Sequence, residues 1–149
     1  MGSNKKPTEK RSNLFSCKLS SQQRIKTPEE FKRVYQSRQW GGTEYFTFNV
    51  LAHDVVDQTV NQVVNQPVSR LGVTVSKKVA KQAVIRNQIK RQIKEFYRCN
   101  NDLFIGIDLV ISAKPNCASA SSKERVKNLQ ELWKKILKWQ RWYLANKTE

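Results

Sequence analysis

The chain is short of acidic groups, histidine, paired cysteines and long apolar runs, and each scarcity removes a class of protein. Its 149 residues hold 28 Lys and Arg against 12 Asp and Glu, a formal charge of +16. A surplus of that size repels itself and disfavours the compact state, so a polyanionic partner is expected. No apolar stretch approaches the ~18–20 residues needed to cross a bilayer, and the N-terminus lacks the apolar core of a secretory signal. The basic helices also need their apolar faces for a core, which makes a membrane surface a poor candidate for the anion. Cys17, Cys99 and Cys117 are odd in number and contain no Cys-x-x-Cys pair, and His53 is the sole histidine. That argues against a disulfide framework or a zinc site. Three free thiols in a reducing cytoplasm, with no metal held by protein side chains, are expected instead.

The length suits one domain, and the 38% of hydrophobic residues suffices for a single two-layer core. The charge is segregated. Residues 1–39 carry 10 basic and 3 acidic groups, residues 76–98 carry 8 and 1, and residues 123–149 carry 8 and 3. The zones between them, 40–75 and 99–122, are slightly acidic and read as strands.

Residues 1–23 are polar and basic, with Leu14, Phe15 and Leu19 as isolated apolar anchors, and are expected to form a flexible arm. The folded domain is expected over 24–144, with 145–149 as a tail. Thr27-Pro28-Glu29-Glu30 is a helix start, with a capping residue, proline at the first turn and a glutamate three after the cap. Phe31, Val34 and Tyr35 then fall on one stripe, and Gly41-Gly42 is expected to end this helix. Residues 44–52 alternate as a half-buried strand, with Phe46, Phe48 and Val50 on one face. Residues 68–75 form a second strand around Leu71, Val73 and Val75. Gly72 inside it marks a close approach by another group. A further strand is expected around 55–64. Residues 79–98 have helical period, with Ile85, Ile89, Ile93, Phe96 and Tyr97 in one arc. Residues 104–113 give a strand with Ile107, Leu109 and Ile111 facing one way. A second capping box, Ser121 with Glu124, opens a last helix through Val126, Leu129, Leu132, Trp133, Ile136 and Leu137. Trp133 fits its core, whereas Trp139 and Trp142 fit a helix–helix seam as well as an exposed face. The order α-β-β-β-α-β-α, with a helix between two strands, predicts an α+β, two-layer α-β sandwich containing a βαβ crossover.

The helix over 79–98 carries the sharpest chemical signal. Asn87, Lys90, Arg91, Lys94 and Arg98 lie opposite its apolar arc, with Arg86 at the border. Like charges at i, i+4 cost a helix a few tenths of a kcal/mol per pair, and Glu95 is the single acidic residue there to relieve them. A phosphate backbone would neutralise such a row and release counterions. Arginine can grip phosphate oxygens in pairs, and Asn87 can donate to a sugar or base edge. On the first helix, Phe31 and Tyr35 at i, i+4 fit a core stripe better by pattern alone, with a platform for stacking unpaired bases as the alternative. His53, Asp54 and Asp57 are the one place where a general base and carboxylates cluster, but no nucleophile or Gly-rich motif accompanies them.

Residues 70–98, from Arg70-Leu71-Gly72-Val73-Thr74-Val75-Ser76-Lys77-Lys78 through Ala83-Val84-Ile85-Arg86-Asn87-Gln88-Ile89-Lys90-Arg91 to Glu95-Phe96-Tyr97-Arg98, closely resemble the signature of the bacterial ribonuclease P protein component. The likeness extends outward to Arg24-Ile25-Lys26, to Glu30 through Tyr35, and to Asp108 through Lys114, so it spans about residues 24–138. It implies a fold like the second domain of ribosomal protein S5, with a left-handed βαβ crossover in place of the usual right-handed one. It implies a ribonucleoprotein endonuclease that removes the 5′ leader of precursor tRNA. In such an enzyme the RNA subunit carries out a Mg²⁺-dependent hydrolysis, and RNA and substrate hold the metal. The partners implied are the ribonuclease P RNA, bound one to one by a monomeric protein, and precursor tRNA. Carried onto this chain, the resemblance assigns Lys77, Lys78, Arg86, Asn87, Lys90, Arg91, Lys94 and Arg98 to the catalytic RNA. It assigns Arg24, Phe31 and Tyr35 to the leader. It implies no catalytic protein side chain. The sequence departs from the family pattern at Gln88 and Lys94, each in place of an arginine, and at Tyr35 in place of a phenylalanine. Two other readings compete: a general RNA-binding protein of ribosomal type, and a free-standing nuclease.

Overall fold

The computed structural model describes residues 19, 21–53, 69–101 and 104–147. Helix α1 spans Pro28–Gln36 and opens as expected. The Thr27 hydroxyl accepts from the Glu30 N–H, and the Glu30 carboxylate accepts in return from the N–H groups of Thr27 and Lys26. These bonds satisfy donors that a helix start leaves orphaned. The helix stops at Gln36, and Arg38 turns the chain with φ of 60°, a left-handed conformation costly for any residue with a Cβ.

Gly41 and Gly42 were expected to end this helix. They belong instead to a strand, β1 (Trp40–Gly42), paired antiparallel with β2 (Phe46–Ala52). Glycine is needed there for packing. A Cβ at Gly41 would lie 2.9 Å from the Phe48 ring, and one at Gly42 would lie 3.1 Å from the Phe46 carbonyl oxygen. The strand expected over 55–64 lies outside the described residues. Among the described residues the helices and strands therefore run α-β-β-β-α-β-α, with β1 as a strand the sequence reading does not include.

Strand β3 (Arg70–Thr74) leads to helix α2 (Ala83–Asn100) and then to β4 (Ile107–Ala113). The sheet order is β1-β2-β4-β3, with β3 parallel to β4 and the other pairs antiparallel. The chain between β3 and β4 is thus a βαβ crossover in a mixed sheet. Helix α2 begins four residues later than the period suggests, because the chain around Ser76–Val79 forms a turn closed by the Val79 N–H on the Ser76 carbonyl. Helix α3 (Ser122–Lys147) follows a 3-10 turn at Pro115–Ser119. Ser121 and Glu124 cap it reciprocally, at 2.9 and 3.0 Å.

Alternation along the strands divides the sheet into two faces. Phe46, Phe48, Val50, Leu71, Ile107, Leu109 and Ile111 are buried against Ile89, Ile93 and Tyr97 of α2 and Leu129, Leu132, Trp133 and Ile136 of α3. This is the main core of the α-β sandwich. Trp133 completes it by edge-on contact with Phe96, their ring centroids 4.8 Å apart. On the outer face α1 covers part of the sheet, burying Val34 and Ile25 on Val110 with Phe31 and Leu51 beside them. Trp139 packs against the main core. Its indole N–H donates to Gln39 Oε1 at 2.9 Å and its ring stacks on Tyr143, which seats α3 on the chain entering β1. Trp142 is 52% exposed.

Leu19 and Ser21–Gln23, placed by the sequence in the N-terminal arm, pack on the domain. Leu19 is buried in the main core and Ser21–Gln23 forms a 3-10 turn. The remainder of the arm, residues 1–18 and Ser20, lies outside the described residues, as do Cys17, Asp54 and Asp57. Cys99 is exposed and Cys117 buried, both as free thiols. Burial pushes the Cys117 thiol up to about 11.

Candidate nucleic-acid interface

Helix α2 turns its apolar arc to the core and so must present the remaining side chains outward. Asn87, Lys90, Arg91, Lys94, Glu95 and Arg98 line one groove, closed on its far side by Leu19 and Arg24. The groove has a volume of about 500 Å³. Five of its eight lining residues are cations, and Glu95 is its single carboxylate. Burial first, and then the charges of Arg24 and Lys90, hold the Lys94 ammonium below the ordinary lysine value. An anion placed here would relieve that repulsion.

Arg86 lies at the head of the row and has structural work as well. Its Nη1 donates to the carbonyls of Ala80 and Lys81 at 2.9 and 2.7 Å. The guanidinium thereby ties the turn that carries exposed Lys77 and Lys78 to the first turn of α2. Gln88, the departure from the family's arginine, is exposed on α2 and does not line the groove.

The two aromatic residues of α1 sit elsewhere. Pro28, Phe31, Lys32 and Tyr35 form one wall of a second, shallower cleft, and Thr74 of β3 contributes its floor. Phe31 is half-buried and lies over Gly72, where a Cβ would come within 2.6 Å of its ring. The close approach signalled by Gly72 is therefore by this ring. Tyr35 is 42% exposed. Phe31 thus serves core and cleft together, while Tyr35 belongs to the cleft.

Arg24 does not join Phe31 and Tyr35. Its side chain lines the α2 groove and donates to the Leu19 carbonyl at 3.0 Å. Its backbone bridges to Leu71 along the open edge of β3, and the Ile25 N–H donates to the Leu71 carbonyl. This segment covers the sheet edge and links groove to cleft, with Arg24 on the groove side and Ile25 under α1.

One network was not foreseen from sequence. Arg70 donates to Asp108 through Nε and Nη2, at 2.9 and 2.6 Å, and to Glu30 through Nη1 at 3.1 Å. His53 Nε2 lies 2.6 Å from Asp108 Oδ1, the oxygen that also accepts from Arg70 Nε. Burial raises the pKa of Asp108, but hydrogen bonds from His53 and Arg70 prevail and hold it below the ordinary value. Glu30 is lowered chiefly by the backbone N–H groups of Lys26 and Thr27. The network ties the first turn of α1 to β3 and β4, and it sets His53 in an ion-pair cluster. Among the described residues no group of three or more His, Cys, Asp or Glu side chains is placed to hold a metal ion, and no helix is long and apolar enough to cross a membrane.

Fold and sites together define a small α+β domain with a cationic groove on one helix and an aromatic cleft beside another. The family description Ribonuclease P matches residues 19–137, and the chain belongs to that protein family. Solved structures of the same fold include the RNase P protein of Staphylococcus aureus, at 24% identity and a TM-score of 0.63 over 75% of this chain and 93% of that one. A mutant of that protein with defective mRNA degradation activity matches at 23% and 0.67, over 80% and 92%. The RNase P protein of Thermotoga maritima matches at 21% and 0.59, over 73% and 93%. No curated protein sequence matches.

Proposed function

We propose that this chain docks on the ribonuclease P RNA through the α2 groove and holds the single-stranded 5′ leader of precursor tRNA in the α1 cleft, promoting endonucleolytic release of the leader. The observation that carries the proposal is the gathering of Arg24, Asn87, Lys90, Arg91, Lys94 and Arg98 into one groove against a single carboxylate. Guanidinium and ammonium groups at that density suit successive phosphates. The aromatic cleft has the complementary character, with rings for stacking and Lys32 for a phosphate. In this reading the RNA subunit carries out the hydrolysis, and Mg²⁺ is held by that RNA and the substrate. Protein side chains bind and orient. The protein acts in the cytoplasm as a monomer, one per RNA.

The test is cleavage of precursor tRNA at low Mg²⁺ by the protein alone, by a bacterial ribonuclease P RNA alone, and by both. Cleavage is expected wherever the RNA is present, and faster with the protein added. Cutting by the protein alone would favour the free-standing nuclease. Failure of the protein to change the RNA's activity would leave a general RNA binder.

A further inference from the structure

We propose that Trp40 extends the leader-binding track beyond α1, acting as a stacking platform for an unpaired base at the far edge of the sheet. The inference rests on the leader reading above and adds a residue and a direction to it.

A single exposed aromatic on a protein surface is ordinary, so exposure alone says little. The position of Trp40 says more. It is 70% exposed, the most exposed of the large hydrophobic side chains among the described residues. Strand register puts Trp40 opposite Asn49, Asn49 opposite Val110, and Val110 opposite Gly72. Those four residues form one row across the outer face. Phe31 covers the Gly72 end, Val34 of α1 packs on Val110, and Trp40 stands at the open end. At ~4.8 Å per strand the row spans roughly 14 Å.

The neighbouring row gives the floor. Thr74, which lines the aromatic cleft, pairs with Ser112, Ser112 with Thr47, and Thr47 with Gly42. All four are small and none is fully buried. A strand leaving the cleft over Thr74 therefore meets no bulky side chain in this row until it reaches β1. There an indole flanks the path, with the Asn49 amide beside it as donor and acceptor for a base edge. Charge favours the same occupant. Lys32 lines the near end, exposed Arg38 precedes Trp40 at the far end, and the carboxylates of Glu30 and Asp108 are both paired with Arg70.

The experiment uses the reconstituted holoenzyme and precursor tRNAs whose leaders are lengthened one nucleotide at a time. The wild-type protein should bind more tightly as the leader grows and then reach a plateau. Trp40→Ala should match it on short leaders, reach its plateau at a shorter leader, and bind the longest substrates roughly tenfold more weakly, the scale of one lost stacking contact. Trp40→Phe should restore most of the loss. A Trp40→Ala curve that coincides with wild type, a weakening equal at every length, or a Trp40→Phe protein no better than alanine would each overturn the proposal. A wild-type protein indifferent to leader length would overturn the leader reading itself, and this inference with it.

Discussion

The α2 groove and the α1 cleft sit on opposite faces of one sheet and use the same residue type in opposite ways. In the groove, Arg24, Lys90, Arg91, Lys94 and Arg98 gather with a single carboxylate, and burial, joined by the charges of Arg24 and Lys90, lowers the pKa of Lys94. Between α1 and the sheet, Arg70 is matched by two carboxylates, Glu30 and Asp108. Five cations line the groove with Glu95 as its one carboxylate. Arg70, which holds the fold, has two to itself. The groove should therefore respond to salt, and the cleft to shape.

The sharpest way to separate the two is Arg70→Met. It leaves Asp108 buried with His53 as its remaining partner and detaches the first turn of α1 from the sheet. Removing one partner of a buried pair typically costs about 3 kcal/mol or more, so a clear fall in melting temperature is expected. Acid should expose the same linkage. The pKa of Asp108 is lowered in the folded state, so its contribution is complete above the unfolded value of ~3.9 and disappears as pH falls through the folded one. The Arg70→Met deficit should then be full at neutral pH and shrink below about pH 4. A deficit constant with pH in thermal melts would show that the ion pair is not its source.

A smaller effect, confined to the cleft, is expected from Gly72→Ala and Phe31→Ala. The added methyl at Gly72 meets the Phe31 ring at 2.6 Å and Ile25 at 3.3 Å. The ring must swing toward the cleft, at a cost of roughly 1–3 kcal/mol for overpacking. Phe31→Ala removes the ring and, with it, a stacking contact of ~1–3 kcal/mol. Both variants should lose preference for leader-bearing over mature tRNA while keeping affinity for the ribonuclease P RNA. Equal loss of both affinities in filter binding would mean that the cleft is not a separate site.

Much of this comparison was legible in the chain, and the part that was not has physical causes. Periodicity exposed the α2 groove because a helix with Ile89, Ile93 and Tyr97 inside must put Asn87, Arg91 and Lys94 outside. Both capping boxes are local, three residues apart, and need no tertiary context. Strand β1 was hidden because its three residues include two glycines, which look like a helix stop. Their role is set by Phe48 and Phe46 across the strand pair, while Arg38 makes the turn that glycine usually makes. The family resemblance groups Arg24 with Phe31 and Tyr35, whereas its side chain lies in the α2 groove, beyond the bridge to Leu71 on the sheet edge. The Arg70–Asp108–His53 network joins residues 38 and 55 positions apart, and no local pattern announces contacts at that separation.

The finest distinction lies along α2, between Arg86 and Arg91, of which Arg91 lines the groove and Arg86 does not. Both belong to the same cationic row in sequence, but Arg86 also donates to the carbonyls of Ala80 and Lys81, whereas Arg91 is an exposed groove residue. Arg91→Ala should leave the melting temperature within error and reduce the slope of log affinity against log salt by roughly 0.7–0.9, the value of one phosphate contact. Arg86→Ala should add to such a change a stability loss of about 1 kcal/mol, since partly exposed hydrogen bonds of this kind contribute on that order. It should also loosen the turn carrying Lys77 and Lys78, visible as faster amide exchange at Val79, whose N–H closes that turn. If both variants change the salt slope alike and neither changes exchange at Val79, the carbonyl contacts of Arg86 do not order the turn, and the two arginines are equivalent phosphate ligands.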